Sequence, residues 1–421
     1  MINCESRSVV VIGGGPAGLS AAIAAFDAGA KDVLVLERDT RLGGILNQCI
    51  HNGFGLTLFK SELTGPEYAA RLIDMASERG IECRLNTTVV SVAPDKTITC
   101  VSEEGVFSIT ADAIVLTCGC RERPRGAIGI AGARCAGVYT AGTAQKLVNI
   151  MGYMAGRECV ILGSGDIGLI MARRMTLQGA KVRAVLEIMP RASGLMRNVV
   201  QCLNDYDIPL MTSHTVVDVL SQGGRVSGVV AAKVDNDMRP IAGSEFLLPC
   251  DTLLLSVGLI PETELAREAG IGLHRVTGGA EVDDTLMSNI DGIFCAGNML
   301  HVHDLADYAC LESEVAGKRA AEYAINGGVT RGAFTSVECG DGIRYAVPMK
   351  ILSSGSGSIT FTARPSAEYA LGRICIEADG EEIYSKREAG IRPATMLRYV
   401  LNSAQSDKLR SASRICIKVR E

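Results

Sequence analysis

The stretch VVVIGGGPAGLSAAIAAFDAGAKDVLVLE at residues 9–37 returns in pattern as ECVILGSGDIGLIMARRMTLQGAKVRAVLE at residues 158–187. Each copy begins with an apolar run, passes through a glycine-rich loop and a longer segment, and ends in a second apolar run followed by glutamate. The apolar runs predict buried strands, and the segment between them predicts a helix. Two copies of one strand–loop–helix–strand unit indicate an α/β protein with two similar domains.

The three glycines of each loop have distinct tasks in a dinucleotide-binding unit. The first permits a tight turn, the second lets a pyrophosphate approach the backbone, and the third lets the helix pack closely on the strand. They stand at Gly13, Gly15 and Gly18 in the first copy, and at Gly163, Gly165 and Gly168 in the second. The N-terminus of the following helix favours the phosphate charge. The acidic residue that ends each unit, Glu37 or Glu187, is placed to bind a ribose diol.

Composition narrows the class of protein further. The chain has 421 residues, 47 of them glycine, and a net charge of −5, so it offers no broad basic field for nucleic acid. No uncharged apolar stretch is long enough to span a membrane. The first apolar run enters the first glycine loop, so we interpret it as a strand and not as a secretory signal. We therefore expect a cytoplasmic protein.

The cysteines argue against a disulfide scaffold. There are fifteen, an odd number, scattered along the chain and often inside apolar runs. In a long chain with no secretory signal such cysteines are mostly reduced core residues. The sequence contains neither CxxC nor CxxxxC, which argues against a dithiol redox centre and a structural zinc site.

The regions between and after the repeats complete the expected architecture. Residues 81–118 and 210–260 alternate as β-meanders do, and a long helix is expected before the NGGVTRG stretch at 326–332. We predict a first dinucleotide-binding domain of residues 1–120 and 265–328, interrupted by a second dinucleotide-binding domain of residues 121–264. Residues 331–421 carry short strands and predict a small all-β domain, sandwich-like in form. The fold class is therefore α/β, with two Rossmann-like domains and a C-terminal β-domain.

With these motifs the sequence resembles the two-dinucleotide-binding flavoproteins, which include thioredoxin reductase and the pyridine nucleotide-disulfide oxidoreductases. The resemblance covers residues 8–325 and implies FAD at the first glycine loop and a nicotinamide nucleotide at the second. It also rests on IVLTCG at 114–119, SVGLIP at 256–261 and TLMSNIDGIFCAGN at 285–298. The last motif usually ends in Gly-Asp, and here Asn298 replaces the aspartate, so a hydrogen bond to the ribityl chain is expected without a charge.

The residues that we expect to bind the two cofactors come from these motifs and their neighbours. They are Gly13, Gly15, Pro16, Ala17, Gly18, Glu37, Arg38, Gly44, Val89, Gly119, Gly163, Gly165, Asp166, Ile167, Gly168, Glu187, Gly258, Gly297 and Asn298. Glu187 favours NAD(H), because a carboxylate repels the 2′-phosphate of NADP. Arg183 and Arg191 leave NADP(H) open as the alternative.

The segment LGGILNQCIHNGFG, residues 42–55, stands where the resemblance places a redox dithiol. The two cysteine positions of that dithiol fall on Leu46 and His51, and Cys49 is offset with no near partner. Disulfide reduction is therefore not expected. A catalytic thiol at Cys49 and a role in loop packing or flavin tuning both remain open, and we place Cys49 and His51 among the candidates near the flavin.

Two histidines, His301 and His303, follow Asn298 and precede the last long helix, which in this fold points its N-terminus at the flavin. A histidine there could move a proton as hydride arrives or leaves. It could equally orient the cofactor or hold the loop. Asp304 is expected to cap the helix. A metal site of His301, His303 and Asp304 lacks a clear third ligand, so no metal is predicted.

Two charged segments allow two interpretations each. Arg121 and Arg123, in CGCRERPRG at 118–126, could contact a phosphate or partner carboxylate, or could fasten the domains together with Glu122. Residues 384–421 have nine Lys and Arg against three Asp and Glu, which fits a solvated face or a docking site for an acidic subunit.

A narrower resemblance extends over nearly the whole chain, through GGILNQCIHNGFGLTLFKSELTGPEYAARL, AGNMLHVHDLADY and GIRYAVPMKI. These stretches are similar to the FAD/NAD(P)-binding subunits of multicomponent glycerol-3-phosphate dehydrogenases, opine oxidases and hydrogen cyanide synthase. The resemblance implies an oxidase-like flavoprotein partner, a small cysteine-rich partner and a small substrate such as glycerol 3-phosphate. The alternatives are a stand-alone NADH oxidase or peroxidase that uses Cys49, and an electron-transfer or scaffold subunit with no substrate site of its own.

Overall fold

The computed structural model describes residues 4–328 and 331–421, which form two compact units. Of the described residues, one unit comprises 4–120, 261–328 and 331–421, and the other comprises 121–260. The chain returns to the first unit at Pro261, and residues 331–421 belong to that unit as well. Residues 329–330 of the predicted NGGVTRG linker lie outside the described residues.

The first unit is built on a mixed sheet, in which five strands are paired in parallel and an antiparallel meander extends one edge. Its first segment contains β1 (Cys4–Ile12), α1 (Pro16–Asp27), β2 (Val33–Leu36), a 3₁₀ turn (Gly44–Gln48), β3 (Asn52–Phe54), β4 (Leu63–Thr64), α2 (Gly65–Glu78), β5 (Glu82–Arg84), β6 (Thr88–Val92), β7 (Thr97–Ser102), β8 (Gly105–Leu116) and β9 (Cys120–Glu122). The second half of β1, residues 9–12, and the whole of β2 are buried apolar runs, which is the pattern of a sheet covered on both faces.

The second unit repeats the plan. It contains α3 (Arg125–Ile128), β10 (Val138–Thr140), α4 (Ala141–Asn149), β11 (Glu158–Leu162), α5 (Asp166–Leu177), β12 (Lys181–Glu187), α6 (Met196–Cys202), a 3₁₀ turn (Asn204–Tyr206), β13 (Leu210–Thr212), β14 (His214–Gln222), β15 (Arg225–Lys233), β16 (Phe246–Leu248), β17 (Thr252–Leu255) and β18 (Leu259–Pro261). A parallel sheet runs in the order β10-β17-β11-β12-β13, and β14, β15 and β16 form the predicted antiparallel meander.

The chain then completes the first sheet. The returning segment contains α7 (Glu264–Glu268), β19 (Ile293–Cys295), a 3₁₀ turn (Gly297–Met299) and α8 (Ala306–Ile325). The finished sheet runs β5-β2-β1-β8-β7-β6, and β19 pairs with β8. Helix α8 packs on α1 so closely that a Cβ atom at Gly317 would collide with the backbone oxygen of Ala21. None of the helices described is long and apolar enough to cross a membrane.

The C-terminal region is rich in strands, as predicted, and has its own apolar core. It contains β20 (Phe334–Cys339), β21 (Ile343–Val347), β22 (Lys350–Leu352), β23 (Thr360–Pro365), β24 (Tyr369–Ala378), β25 (Glu381–Ile391), β26 (Leu397–Val400), α9 (Ser403–Ser411) and β27 (Ile415–Arg420). One sheet runs β22-β20-β27-β24-β25 and the other runs β21-β23-β26. Helix α9, which the strand pattern did not predict, begins with a capping box formed by Asn402 and Gln405.

A buried ion pair joins the C-terminal region to the rest of the first unit. Arg410 on α9 donates to Asp284 over 2.9 Å, and the two side chains are 6% and 2% exposed. Arg410 also donates to the Gly357 carbonyl oxygen, and Asp284 accepts the Leu352 N–H. The charges are therefore paired and hydrogen-bonded, as buried charges must be.

We predict that Arg410→Met lowers the free energy of unfolding by about 3–5 kcal/mol, because it leaves the Asp284 carboxylate buried and unpaired. Urea denaturation followed by circular dichroism measures this change. The matched control is Arg414→Met, whose pair with Glu338 is 69% and 50% exposed and which should leave the midpoint unchanged. Equal midpoints for the two variants would contradict the prediction.

Candidate active site

The first glycine loop has the geometry that its sequence predicts. Gly13 has φ of 108°, and a Cβ atom there would lie 2.6 Å from the Thr117 carbonyl oxygen. A Cβ atom at Gly18 would collide with the Gly13 carbonyl oxygen. At Gly15 the nearest atom to such a Cβ is 4.0 Å away, so this position faces open space at the start of α1. The loop therefore fits a pyrophosphate held over Gly15 by the free N–H groups of the helix.

Glu37 is fixed beside this loop. Its carboxylate is 8% exposed and accepts hydrogen bonds from the N–H groups of Gly14 (2.7 Å) and Asp39 (2.8 Å). Each oxygen thus takes one backbone donor and keeps capacity to accept another. The start of β6 is brought close as well, because Thr87 N–H donates to the Glu37 carbonyl oxygen. Val89 follows two residues later and is half-buried, whereas the Arg38 side chain is exposed.

The second loop repeats the steric arrangement. Gly163 has φ of 100° and packs on Ser256, and a Cβ atom at Gly168 would lie 2.5 Å from the Gly163 carbonyl oxygen. At Gly165 the nearest atom to a Cβ would be 3.7 Å away. Asp166 opens α5, and its Oδ1 accepts from Leu195 N–H, which fastens the loop that follows β12. The loop fits a second dinucleotide.

The Glu187 carboxylate accepts more hydrogen bonds from the protein than the Glu37 carboxylate does. Oε2 accepts hydrogen bonds from Ser164 N–H (3.0 Å), the Ser164 hydroxyl and the Ser193 hydroxyl (2.9 Å), and Oε1 accepts from Met189 N–H (3.0 Å). Oε1 is therefore the oxygen left for a ribose hydroxyl. Arg183, which could have bound a 2′-phosphate, donates to Glu158 over 2.6 Å.

Residues 42–55, the segment that contains Cys49, pack on the first glycine loop. Gly43 N–H donates to the Gly14 carbonyl oxygen, and a Cβ atom at Gly44 would lie 3.1 Å from the Gly15 Cα. Cys49 follows the 3₁₀ turn, and its thiol lies 3.3 Å from the Ile45 carbonyl oxygen. Burial raises the pKa of the Cys49 thiol to about 12. A catalytic thiol needs a lowered pKa, so the structure disfavours this role.

His51, the other candidate in this segment, makes a local contact. Its Nδ1 lies 3.0 Å from the Asn52 carbonyl oxygen, and its ring is 5.1 Å from the Phe54 ring. The other cysteines do not form disulfides either: all fourteen from Cys49 to Cys416 are free thiols in the described structure. Burial raises the pKa of Cys118 to about 12 as well, as expected for a core thiol.

The late motif meets the first glycine loop. Gly297 has φ of 71°, and a Cβ atom there would lie 2.7 Å from the Ala17 side chain. Asn298 Oδ1 accepts from His303 N–H over 3.0 Å and lies 3.2 Å from His303 Nδ1, and its amide nitrogen faces the Cys120 sulfur at 3.6 Å. The amide that we expected to reach a ribityl chain is thus engaged in shaping the histidine loop.

His301 and His303 converge on a residue that the sequence did not single out. Glu312, on the second turn of α8, places Oε2 at 2.8 Å from His301 Nε2 and 3.4 Å from His303 Nε2. Its Oε1 accepts from Gly297 N–H over 2.9 Å. The two rings are 4.2 Å apart. Spacing alone could not find Glu312, because it lies nine residues beyond His303 in an ordinary helical position.

Burial and charge act in opposite directions in this cluster. Burial raises the pKa of Glu312, but the interactions with the two neighbouring imidazoles outweigh it, so the net shift of the Glu312 pKa is downward. Burial, helped by the neighbouring His303, lowers the pKa of His301. Burial and the neighbouring imidazole thus oppose a charge on His301, whereas Glu312 favours one.

The C-terminal region holds this histidine loop from outside, which corrects the prediction for Asp304. Helix α8 has Leu305 at its N-cap and no side-chain cap. Asp304 instead forms two hydrogen bonds with Arg364 on β23, at 2.8 and 3.1 Å. Arg364 also donates to the Val302 carbonyl oxygen, and the Tyr345 ring stands edge-on to His301 at 5.8 Å. The Asp304 carboxylate therefore pairs with Arg364 and does not cap α8.

The remaining predicted residues lie on loops or in the first turns of helices α1 and α5. Gly119 and Gly258 have φ of 74° and 103°, and no atom lies within 4 Å of a Cβ built on either. Pro16 opens α1, and Ile167 packs on the core of the second unit. Of the charged run at 118–126, Glu122 accepts from Gly142 N–H near the start of α4.

Two dinucleotide-binding units, one inserted in the other along the chain, define the class of two-Rossmann-domain flavoprotein oxidoreductases. The model of the pyridine nucleotide-disulphide oxidoreductase family matches residues 7–313, and the chain belongs to this family. Members of the family bind FAD and use NAD(P)H, in agreement with the two loops.

Relatives of known function agree at the level of the family. Thioredoxin reductase of Listeria innocua is 26% identical over 69% of this chain and 85% of its own length. Hydrogen cyanide synthase subunit HcnB of Pseudomonas protegens is 27% identical, over 63% of this chain and 59% of its own. An opine oxidase subunit of Rhizobium meliloti is 28% identical, over 64% and 53%. The match thus spans little more than half the length of each of these two subunits.

Solved structures share the fold. Thioredoxin reductase of T. acidophilum superposes with a TM-score of 0.63 at 22% identity and covers 76% of this chain and 99% of its own. The NAD-dependent persulfide reductase of A. fulgidus has a TM-score of 0.59 at 21% identity, over 94% of this chain and 71% of its own.

We predict that Cys49→Ser changes peroxide-dependent NADH oxidation by less than about twofold, because a protonated thiol is a poor nucleophile at neutral pH. Steady-state consumption of NADH with and without hydrogen peroxide measures the effect. Dye reduction by NADH in the same variant is the control. Loss of peroxide turnover with intact dye reduction would instead support the peroxidase alternative.

Proposed function

We propose that this chain is an FAD-dependent oxidoreductase that exchanges hydride with NAD(H). The observation that carries the proposal is the pair of glycine loops, each with an open position above its second glycine and a buried glutamate at its side. FAD, when bound, supplies the two-electron redox chemistry. The chain's own residues bind and orient the two dinucleotides. The N-termini of α1 and α5 favour the phosphate charge, and the carboxylates of Glu37 and Glu187 accept hydrogen bonds from ribose hydroxyls.

The preference for NAD(H) over NADP(H) follows from the second loop. Glu187 is 4% exposed, and its carboxylate accepts hydrogen bonds from Ser164 and Ser193. A 2′-phosphate brought beside it would meet a negative charge. Arg183 is paired with Glu158, so its guanidinium is already engaged.

We also propose that this chain transfers electrons without using a redox-active disulfide. Leu46 and His51 occupy the two dithiol positions of the family, and the Cys49 thiol is protonated at neutral pH. The electrons would then pass between the nicotinamide nucleotide, the flavin and a second protein. Similarity to subunits of opine oxidase and hydrogen cyanide synthase supports a multicomponent dehydrogenase.

We propose glycerol 3-phosphate, or a related small substrate, for that assembly, with an oxidase-like flavoprotein and a small cysteine-rich protein as partners. The support is the narrower sequence resemblance, from residues 43–72 to the C-terminal stretches. In this arrangement the present chain handles the nucleotide, and the partner flavoprotein oxidises the substrate.

Anaerobic titration of the purified flavoprotein with NADH tests the hydride exchange. We predict that NADH bleaches the visible flavin bands and that NADPH does so only at concentrations at least about tenfold higher, because of Glu187. No bleaching by either nucleotide would overturn the proposal. Equal potency of NADPH would overturn only the preference.

A pair of glycine variants is the control for the titration. Gly165→Val should fold, because φ at this position is −62° and the nearest atom to a Cβ is 3.7 Å away, but its side chain would fill the pyrophosphate space. Bleaching by NADH should be lost while FAD remains bound. Gly163→Val should instead destabilise the second unit, because φ is 100° and Ser256 occupies the space.

Reconstitution tests the partner proposal. We predict that the chain alone reduces dyes with NADH but does not oxidise glycerol 3-phosphate, and that adding an oxidase-like flavoprotein encoded beside it couples the two reactions. Spectrophotometric formation of NADH from glycerol 3-phosphate measures the coupling. Oxidation of the substrate by the isolated chain would contradict the division of labour.

A further inference from the structure

Three potential metal ligands meet in the first unit at a point that the proposed hydride exchange does not require. His301, His303 and Glu312 each offer one ligand atom, and these atoms lie within 4.8 Å of one another. The contacts to Glu312 Oε2 are 2.8 Å from His301 Nε2 and 3.4 Å from His303 Nε2. A tetrahedral ion with bonds near 2.0–2.1 Å needs ligand atoms about 3.3 Å apart, so the 3.4 Å contact already fits and the 2.8 Å contact must lengthen when an ion binds.

Hydrogen bonding leaves part of this cluster unexplained. His303 Nε2 is buried and points at Glu312 Oε2 without the geometry of a hydrogen bond. His301 Nδ1 is also buried without a hydrogen-bond partner among the described residues, but the nitrogen of that ring that faces Glu312 is Nε2, so an ion there would account only for His303. The imidazole side chains are 0% and 2% exposed, so water does not satisfy them from the surface. Buried polar atoms in this condition call for an explanation, and an ion is one of the few available.

The surroundings orient the ligands. Asn298 Oδ1 lies 3.2 Å from His303 Nδ1, the nitrogen opposite the one that faces Glu312. The Gly297 N–H holds the second oxygen of Glu312 at 2.9 Å. Metal-binding imidazoles and carboxylates typically have such outer hydrogen bonds. Arg364 fixes the loop between the histidines and α8 through Asp304.

We propose that His301, His303 and Glu312 bind a divalent transition-metal ion, with Zn²⁺ best matched to two imidazoles and one carboxylate. The three side chains supply three positions of a four-coordinate site, and a non-protein ligand completes it. The third ligand, which the sequence pattern lacked, comes from α8, and Asp304 takes no part because Arg364 holds it. The site is independent of whether the chain exchanges hydride with NAD(H).

Metal analysis of the purified chain tests the proposal. We expect about one transition-metal ion per chain by inductively coupled plasma mass spectrometry, or, if the ion is lost in purification, recovery of one Zn²⁺ per chain on titration with zinc alone. X-ray absorption at the zinc edge should show nitrogen and oxygen neighbours at about 2.0–2.2 Å and no sulfur at about 2.3 Å. Sulfur neighbours would mean that zinc sits on cysteines, and would overturn the assignment.

Matched variants locate the ion. Glu312→Gln, which preserves side-chain shape, and His303→Ala should each reduce bound zinc at least about tenfold. His214→Ala, in the second unit, should leave the zinc content unchanged. Melting curves identify variants that fail to fold, and Glu312→Gln is the milder of the two. Wild-type protein that binds no ion, or Glu312→Gln protein that binds as much as wild type, would overturn the proposal. FAD content and NADH bleaching, recorded on the same samples, test the hydride exchange separately.

Discussion

The contact between Gly18 and the carbonyl oxygen of Gly13 is the constraint on which the first unit depends. A side chain at Gly18 would collide with that oxygen, so only glycine lets α1 begin directly above the end of β1. The close approach brings Gly14 N–H within reach of Glu37 and leaves Gly15 open to a ligand. The second unit repeats the same contact between Gly168 and Gly163. The space for a dinucleotide at each loop thus depends on glycine at the positions where a side chain would collide with the backbone.

Segments that are distant in the sequence complete the candidate site by packing beside the first glycine loop. Gly44 packs on Gly15, and Gly297 packs on Ala17, so two later loops meet at the start of α1. Helix α8 then brings Glu312 to the Gly297 backbone and to both histidines. The C-terminal region adds the outermost support through Arg364 and Tyr345. It is consequently part of the wall of the site, and deleting it would disturb more than a docking surface.

Much of this could be predicted because the signals were local. The glycine spacing, the glutamate after each second strand and the late motif all follow from steric rules that operate within some thirty residues. The roles of Cys49, Asp304 and Glu312 could not be predicted in the same way. Cys49 depends on burial, which raises its pKa. Asp304 had two possible partners, a helix N-terminus and a cation, and the cation stands sixty residues later on β23.

The sequence by itself determined two dinucleotide-binding units, their glutamates and the absence of the CxxC and CxxxxC patterns. These are properties of residue type and short spacing, since a tight turn demands glycine wherever it occurs. Only the tertiary structure decided which carboxylate meets the histidines and which one anchors the C-terminal region. The reason is physical: hydrogen bonds and ion pairs act over about 3 Å, and packing alone decides which side chains come that close.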